Sequence, residues 1–221
     1  MARAFTAATP HYLSVAAVPV SSLPISMACW FNSTTTAANQ TLMGLAVSGT
    51  QTDWSLRARG NVAGDPVTAR SQVASSSVNA DTSAGYTANV WHHACAVFAS
   101  TTSRAAYLNG GSKGTETSSS SPSGVNRTAI GIDAFDLASA ATDGRIAEAA
   151  MWNVALTDAD VLSLAAGASP LLVRPEGLVA YWPLIGRTSP EIGLKSSANN
   201  LTVTGAVAGD HVRIYYPDSI F

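Results

Sequence analysis

Apolar and polar residues alternate with a period of two along most of the chain, and helical periodicity is nearly absent. In Ile25-Ser26-Met27-Ala28-Cys29-Trp30-Phe31-Asn32, the residues Ile25, Met27, Cys29 and Phe31 share one face of an extended segment. The same pattern predicts strands over 42–47, 54–59, 67–73, 91–98, 128–132, 145–153, 177–184, 201–204 and 212–216. Residues 104–108 and 111–117 flank Asn109-Gly110, and this pair predicts a tight hairpin because both central positions of such a turn need positive φ. Short strands at this spacing, separated by loops rich in Gly, Pro and Ser, argue for an all-β sandwich.

One segment departs from the pattern. The stretch 157–166 predicts a short helix with both ends marked. Thr157 can cap the free N–H groups of the first turn, Asp158 and Asp160 suit its positive end, and Gly167 permits a left-handed exit. No shift in composition marks a domain boundary, so 1–221 is expected to be a single domain.

Composition narrows the function. Only 12% of the residues are charged and 47% are hydrophobic, which excludes a disordered chain. Lys and Arg total 12 against 14 Asp and Glu, so there is no basic excess for phosphate contacts and nucleic acid is not an expected partner. No apolar run reaches the roughly 18–20 residues of a membrane span, and no membrane partner is expected. The first residues, Met1 to His11, lack the continuous apolar run of a secretory signal. About two residues in five are Ala, Ser or Thr, so hydroxyls and amides must wet much of the surface. Four Asn-x-Ser/Thr sequons, at Asn32, Asn39, Asn126 and Asn200, arise readily in such a composition. Cys29 and Cys95 are the only cysteines; they read as buried thiols, with a single disulfide as the alternative.

Five pieces, in order, resemble the concanavalin A-like lectin/glucanase superfamily and its laminin-G-like jelly-roll modules. They are the strand Leu23 to Phe31, Trp91-His92-His93-Ala94-Cys95-Ala96-Val97, the Ala106-Tyr107-Leu108-Asn109-Gly110 hairpin, Asp143 to Asn153 running into the Thr157 helix, and Gly177 to Leu184. The resemblance implies a two-sheet antiparallel jelly-roll sandwich with six or seven strands per sheet. Where the family commonly carries Asp-Glu, this chain has Ala147-Glu148, so no role of that acidic pair carries over. The closing segment, from the Trp182-Pro183-Leu184 strand to Tyr215-Tyr216-Pro217, is similar to such modules in bacteriophage virion proteins.

Candidate chemistry is sparse. Glycoside hydrolysis needs two facing carboxylates, but the nearest acids, Asp133 and Asp136, fall in a loop and Glu148 is alone on its strand. His92 and His93 are adjacent and point to opposite faces, while His11 and His211 are isolated, so a zinc site is not expected. Calcium is the one ion with ligands at hand: Asp133, Asp136 and Asp143 cluster in sequence, and Asp53 and Asp65 flank an early strand. The competing reading makes these turn acids that bond their own backbone. Trp30, Trp91, Trp152 and Trp182 are expected in the core. Trp54, beside Asp53 and before Arg57 and Arg59, offers a stacking surface for a sugar.

No catalytic, cofactor-binding or metal site is assigned, and no cofactor is expected beyond the calcium alternative. The function expected is a non-enzymatic phage virion structural protein, decorating a capsid or associated with a tail or fibre, with weak glycan binding at the host surface. Its partners would be other virion proteins or further copies of itself, and glycans. The alternative is a bacterial carbohydrate-binding module or adhesin located outside the cell or at its surface, and a glucanase is the least supported reading. The apolar terminus, 212–221, reads as a closing strand or as a docking segment for a neighbouring subunit.

Overall fold

The computed structural model describes residues 1–186 and 188–210. The strand predicted over 212–216, the apolar terminus and His211 therefore lie outside the described residues. The chain forms two antiparallel sheets packed face to face. The strands are β1 (Ala2–Phe5), β2 (Tyr12–Val15), β3 (Ile25–Ser33), β4 (Asn39–Ala46), β5 (Asp53–Arg59), β6 (Pro66–Val73), β7 (Ser76–Gly85) and β8 (His92–Ser100). They continue with β9 (Ser103–Leu108), β10 (Gly111–Glu116), β11 (Arg127–Ile130), β12 (Gly144–Trp152), β13 (Leu178–Trp182), β14 (Thr202–Thr204) and β15 (Val207–Gly209). The first sheet runs β10-β9-β8-β3-β12-β1-β15, with β13 also paired to β12, and the second runs β14-β2-β11-β4-β5-β6-β7. That makes an eight-stranded and a seven-stranded sheet, one strand more than expected in the first. Four strands, β1, β2, β7 and β15, fall where no strand is predicted.

Alternation places the core. Ile25, Met27, Cys29 and Phe31 of β3, with Ala94, Ala96 and Phe98 of β8, meet Met43, Leu45, Trp54, Leu56, Val67 and Ala69 of the second sheet. This is the two-sheet filling that period-two patterning dictates. The odd positions of β8 turn the other way: Cys95 and Val97 join Ala28, Trp152, Leu156, Val161, Leu164 and Tyr181 in a second cluster on the outer face of the first sheet. There α1 (Asp158–Ala165) covers the sheet. Cys29 and Cys95 thus lie on opposite faces and both are free thiols, so the disulfide alternative fails on strand parity. Of the four tryptophans expected in the core, Trp152 and Trp182 are fully buried, whereas Trp30 and Trp91 are only half-buried at the sheet surface.

The predicted punctuation recurs in the geometry. Asn109 and Gly110 have φ of 54° and 77°, the paired positive values that the β9–β10 turn requires. Thr157 caps α1 by accepting from the Asp160 N–H, and the Asp160 carboxylate accepts from the Thr157 N–H at 2.9 Å, a reciprocal box. Gly167 leaves the helix with φ of 97°. Replacing Thr157 by alanine should lower stability by about 1 kcal/mol in a denaturant titration, because one N–H of the first turn loses its partner.

β12 is the joint of the first sheet. It pairs with β3 on one side; on the other, Gly144–Ile146 pair with β1 and Ala149–Trp152 with β13. Between the halves the register slips at a bulge, where Glu148 has φ of 53°. Beside it, buried Arg3 of β1 donates to the Glu191 carboxylate at 2.9 Å and to the Ala206 carbonyl at 3.1 Å, tying the first strand to the last described segment.

Along one flank the two sheets meet. A Cβ on Gly114 of β10 would lie 1.7 Å from the Asp81 carbonyl oxygen of β7, so only glycine permits this approach. The edge strands β10 and β7 cover one another there.

Candidate functional site

The outer face of the second sheet is where polar side chains concentrate. On β5 the odd residues Asp53, Ser55, Arg57 and Arg59 point away from the core that Trp54, Leu56 and Ala58 fill. Thr68, Arg70 and Gln72 of β6 stand beside them through the registered pairs Arg57–Thr68, Ser55–Arg70 and Asp53–Gln72. A loop over 131–142, following β11, folds back over this face. It is pinned by the Thr41 N–H to the Ala140 carbonyl at 2.8 Å and the Gly49 N–H to the Phe135 carbonyl at 3.0 Å. Ile132 and Ala134 of the loop seal against Ala46 and Ala129, with Phe135 and Leu137 packed at the margin.

Under the loop lies an ionic network. Arg57, 1% exposed, donates to Asp133 through Nη2 and to the Ser55 hydroxyl at 3.0 Å through Nε, and the same Nη2 is 3.8 Å from Asp53. Arg70 holds both oxygens of Asp53 at 3.0 and 2.9 Å, and Thr41 donates to Asp133. Burial pushes the Asp133 carboxyl upward, opposed by the Arg57 charge, and desolvation draws the Arg57 guanidinium down to about 10. Arg59 meets Asp81 at 3.3 Å in a more exposed pair at the face's far side.

Next to this network a groove of about 270 Å³ opens, lined by Gly49, Gln51, Phe135 and Asp136. The Arg70 guanidinium lies 5.7 Å from the centroid of the Phe135 ring, which it helps to orient. Gln51 is exposed, and its amide oxygen accepts from Gln72 Nε2 at 3.1 Å. Arg70 Nε, Gln72 Oε1 and Asn79 Oδ1 are buried without a partner among the described residues. These three atoms lie beneath the polar face and do not line the groove, whose own polar side chains are Gln51 and Asp136.

The sequence-derived candidates are distributed differently from expectation. Asp53 and Asp133 do come together, but Arg57 and Arg70 stand between and beside them, so guanidinium groups fill the place a calcium ion would take. Asp133 is accordingly neither a turn acid nor an open ligand. Asp136 caps the Ala138 N–H at 3.1 Å, and Asp143 accepts from the Thr34 hydroxyl at 2.9 Å. Asp65 sits at a turn with φ of 48°. Among the described residues no group of three His, Cys, Asp or Glu side chains could hold a metal.

Trp54 offers no stacking surface. It is 2% exposed and inward-facing, opposite Arg57 and Arg59 on the pleat. The aromatic residue that lines the groove at the polar face is Phe135. Its signal in the sequence is Asp133-Ala134-Phe135-Asp136, a large apolar side chain set between acids in a loop.

The remaining candidates lie on the first sheet. Glu148, at the β12 bulge, is 3% exposed and accepts from the Tyr181 hydroxyl. His93 faces outward against Trp30, with ring centroids 5.4 Å apart, and burial holds its imidazole down at about 3, hence neutral. His92 points inward to Phe31 and Tyr86; its Nε2 accepts from the Thr87 N–H at 3.1 Å. The two histidines occupy opposite faces, as parity requires.

A laminin-G family model, described as the concanavalin A-like lectin/glucanases superfamily, matches residues 8–162. The chain belongs to this superfamily. No curated protein is similar to it in sequence. Solved structures share the lectin-like fold. A heptameric SAP-like pentraxin from Limulus polyphemus is 17% identical, with a TM-score of 0.58 over 74% of this chain and 80% of its own. Domain 4 of an extracellular GH43 arabinanase from Geobacillus stearothermophilus, in complex with arabinotriose, is 24% identical, with a TM-score of 0.55 over 66% and 68%. The CBM40 of a Ruminococcus gnavus IT-sialidase, bound to α2,3-sialyllactose, is 12% identical, with a TM-score of 0.53 over 66% and 84%. At these identities the likeness is one of fold, and the concanavalin A-like sandwich hosts many chemistries.

Proposed function

We propose that the chain, acting as one unit over 1–221, is a non-enzymatic lectin-like module that binds glycan in the groove at Phe135. The observation that carries this reading is the composition of that groove. An aromatic ring, an exposed amide and a carboxylate converge over an ionic network that holds them in place. Sugars are recognised by such sets, with an apolar ring against the C–H face and amides and carboxylates for the hydroxyls. A hydrolytic role has little to support it, since Glu148 is buried beneath the helical cover and Asp53 and Asp133 are tied to arginines.

The setting we propose is the surface of an assembled particle, a phage virion, with other virion proteins or further copies of the chain as partners. An extracellular carbohydrate-binding module or adhesin is the second reading, favoured by the fold it shares with carbohydrate-binding modules. The ion-poor composition supports the first, because near-neutral surfaces favour association.

Affinity electrophoresis of the whole chain in gels containing soluble polysaccharides tests the binding reading. Retention by at least one polysaccharide is expected, and Phe135→Ala should weaken it about tenfold, or roughly 1.4 kcal/mol. Gln51→Ala, at an exposed position, should weaken it without changing the melting temperature. Mobility unaffected by every polysaccharide would overturn the proposal. Recovery of the chain from producing cells only as a free monomer, never in purified particles, would remove the virion setting and leave the adhesin reading.

A further inference from the structure

We infer that the Phe135 groove takes neutral glycans and discriminates against acidic ones, an inference that rests on the glycan reading just given. The groove wall presents a donor, an acceptor and an apolar ring, but no free cation. Gln51 uses its amide oxygen to accept from Gln72, which leaves its own N–H groups to donate to a ligand oxygen. One oxygen of Asp136 accepts from the Ala138 N–H, and the other is left to accept from sugar hydroxyls. Gly49 adds no side chain, so a ligand can approach the backbone there.

Every guanidinium of β5 and β6 on this face is committed to a carboxylate of the same face. Arg57 is bonded to Asp133, Arg59 to Asp81, and Arg70 to both oxygens of Asp53. Arg127 of β11 donates to the Ala134 carbonyl at 3.3 Å and has no carboxylate partner among the described residues, but it does not line the groove. Arg57, Arg59 and Arg70 are balanced by Asp133, Asp81 and Asp53, and the only charged side chain on the groove wall is Asp136. A sugar carboxylate entering the groove would meet that like charge with no guanidinium on the groove wall to offset it, and like-charge contact is a means of rejecting the wrong ligand.

The test is titration calorimetry of the whole chain with matched oligosaccharide pairs that differ only in a carboxylate, such as a neutral glycan and its sialylated or uronic-acid counterpart, at low and high salt. The neutral member should bind at least tenfold more tightly at low salt. The gap should narrow at high salt, and again in Asp136→Asn, which removes the repelling charge and keeps an acceptor. Equal or tighter binding of the acidic member overturns this inference and leaves the glycan reading standing. If that acidic preference is lost in Arg127→Gln, Arg127 is the residue that reaches the ligand. Failure of both members of every pair to bind overturns the glycan reading and this inference together.

Discussion

Replacing Arg57 by methionine is expected to lower the stability of the chain by about 3–5 kcal/mol at neutral pH. The substitution keeps much of the side-chain volume but withdraws the cation from Asp133, which is 2% exposed, and from Asp53 at 3.8 Å. A buried carboxylate without a counter-charge is the costly outcome, far more so than the absence of the whole cluster would be. The pH dependence has a definite sign. Burial already raises the Asp133 carboxyl and Arg57 opposes that rise, so the variant's carboxyl should titrate higher still. A group whose folded pKa lies above its unfolded value favours the fold increasingly as it takes up its proton. The difference in stability between variant and wild type should therefore shrink as pH falls through the variant's Asp133 titration. Urea denaturation of both proteins across that range measures it, and a difference independent of pH would show that Asp133 does not carry the effect.

The second large effect is expected at Trp182. Its side chain is fully buried between the sheets, and its indole N–H donates to the Asn199 carbonyl at 2.7 Å. Trp182→Ala should cost about 3–5 kcal/mol through lost burial and the cavity left behind. Trp182→Phe separates the two contributions: it restores most of the ring and leaves the Asn199 carbonyl unpaired, which alone costs about 1–3 kcal/mol. Equal losses in the two variants would show that the hydrogen bond, not the packing, holds the segment around Asn199 against β13.

The features legible in the sequence were those whose cause is local. The turn at Asn109-Gly110 is set by two residues that accept positive φ, and the cap of α1 by Thr157 and Asp160 three positions apart. The long strands β3, β5 and β8 declare themselves because large apolar side chains alternate with small or polar ones. β7 does not, since its buried residues are Ala80 and Thr82, which give little contrast with the serines around them. The candidate site was harder still. Its groove joins the β4–β5 turn to a loop some 85 residues further along, and they meet because β11 pairs with β4 rather than with a strand adjacent in the chain. Strand parity did carry one answer: Trp54 and Arg57, three positions apart, cannot share a face of a regular strand.

The close approach at Gly114 has a consequence for valence. With β7 and β10 occupying one another along one flank, the sheet edges among the described residues that pair with no further strand are β14, β15 and the outer side of β13, all away from that flank. A unit able to add strands on one flank only cannot extend through both sides as a growing ribbon does. One missing methyl group, at Gly114, thereby leaves the backbone edges open to a neighbour, among the described residues, on a single flank.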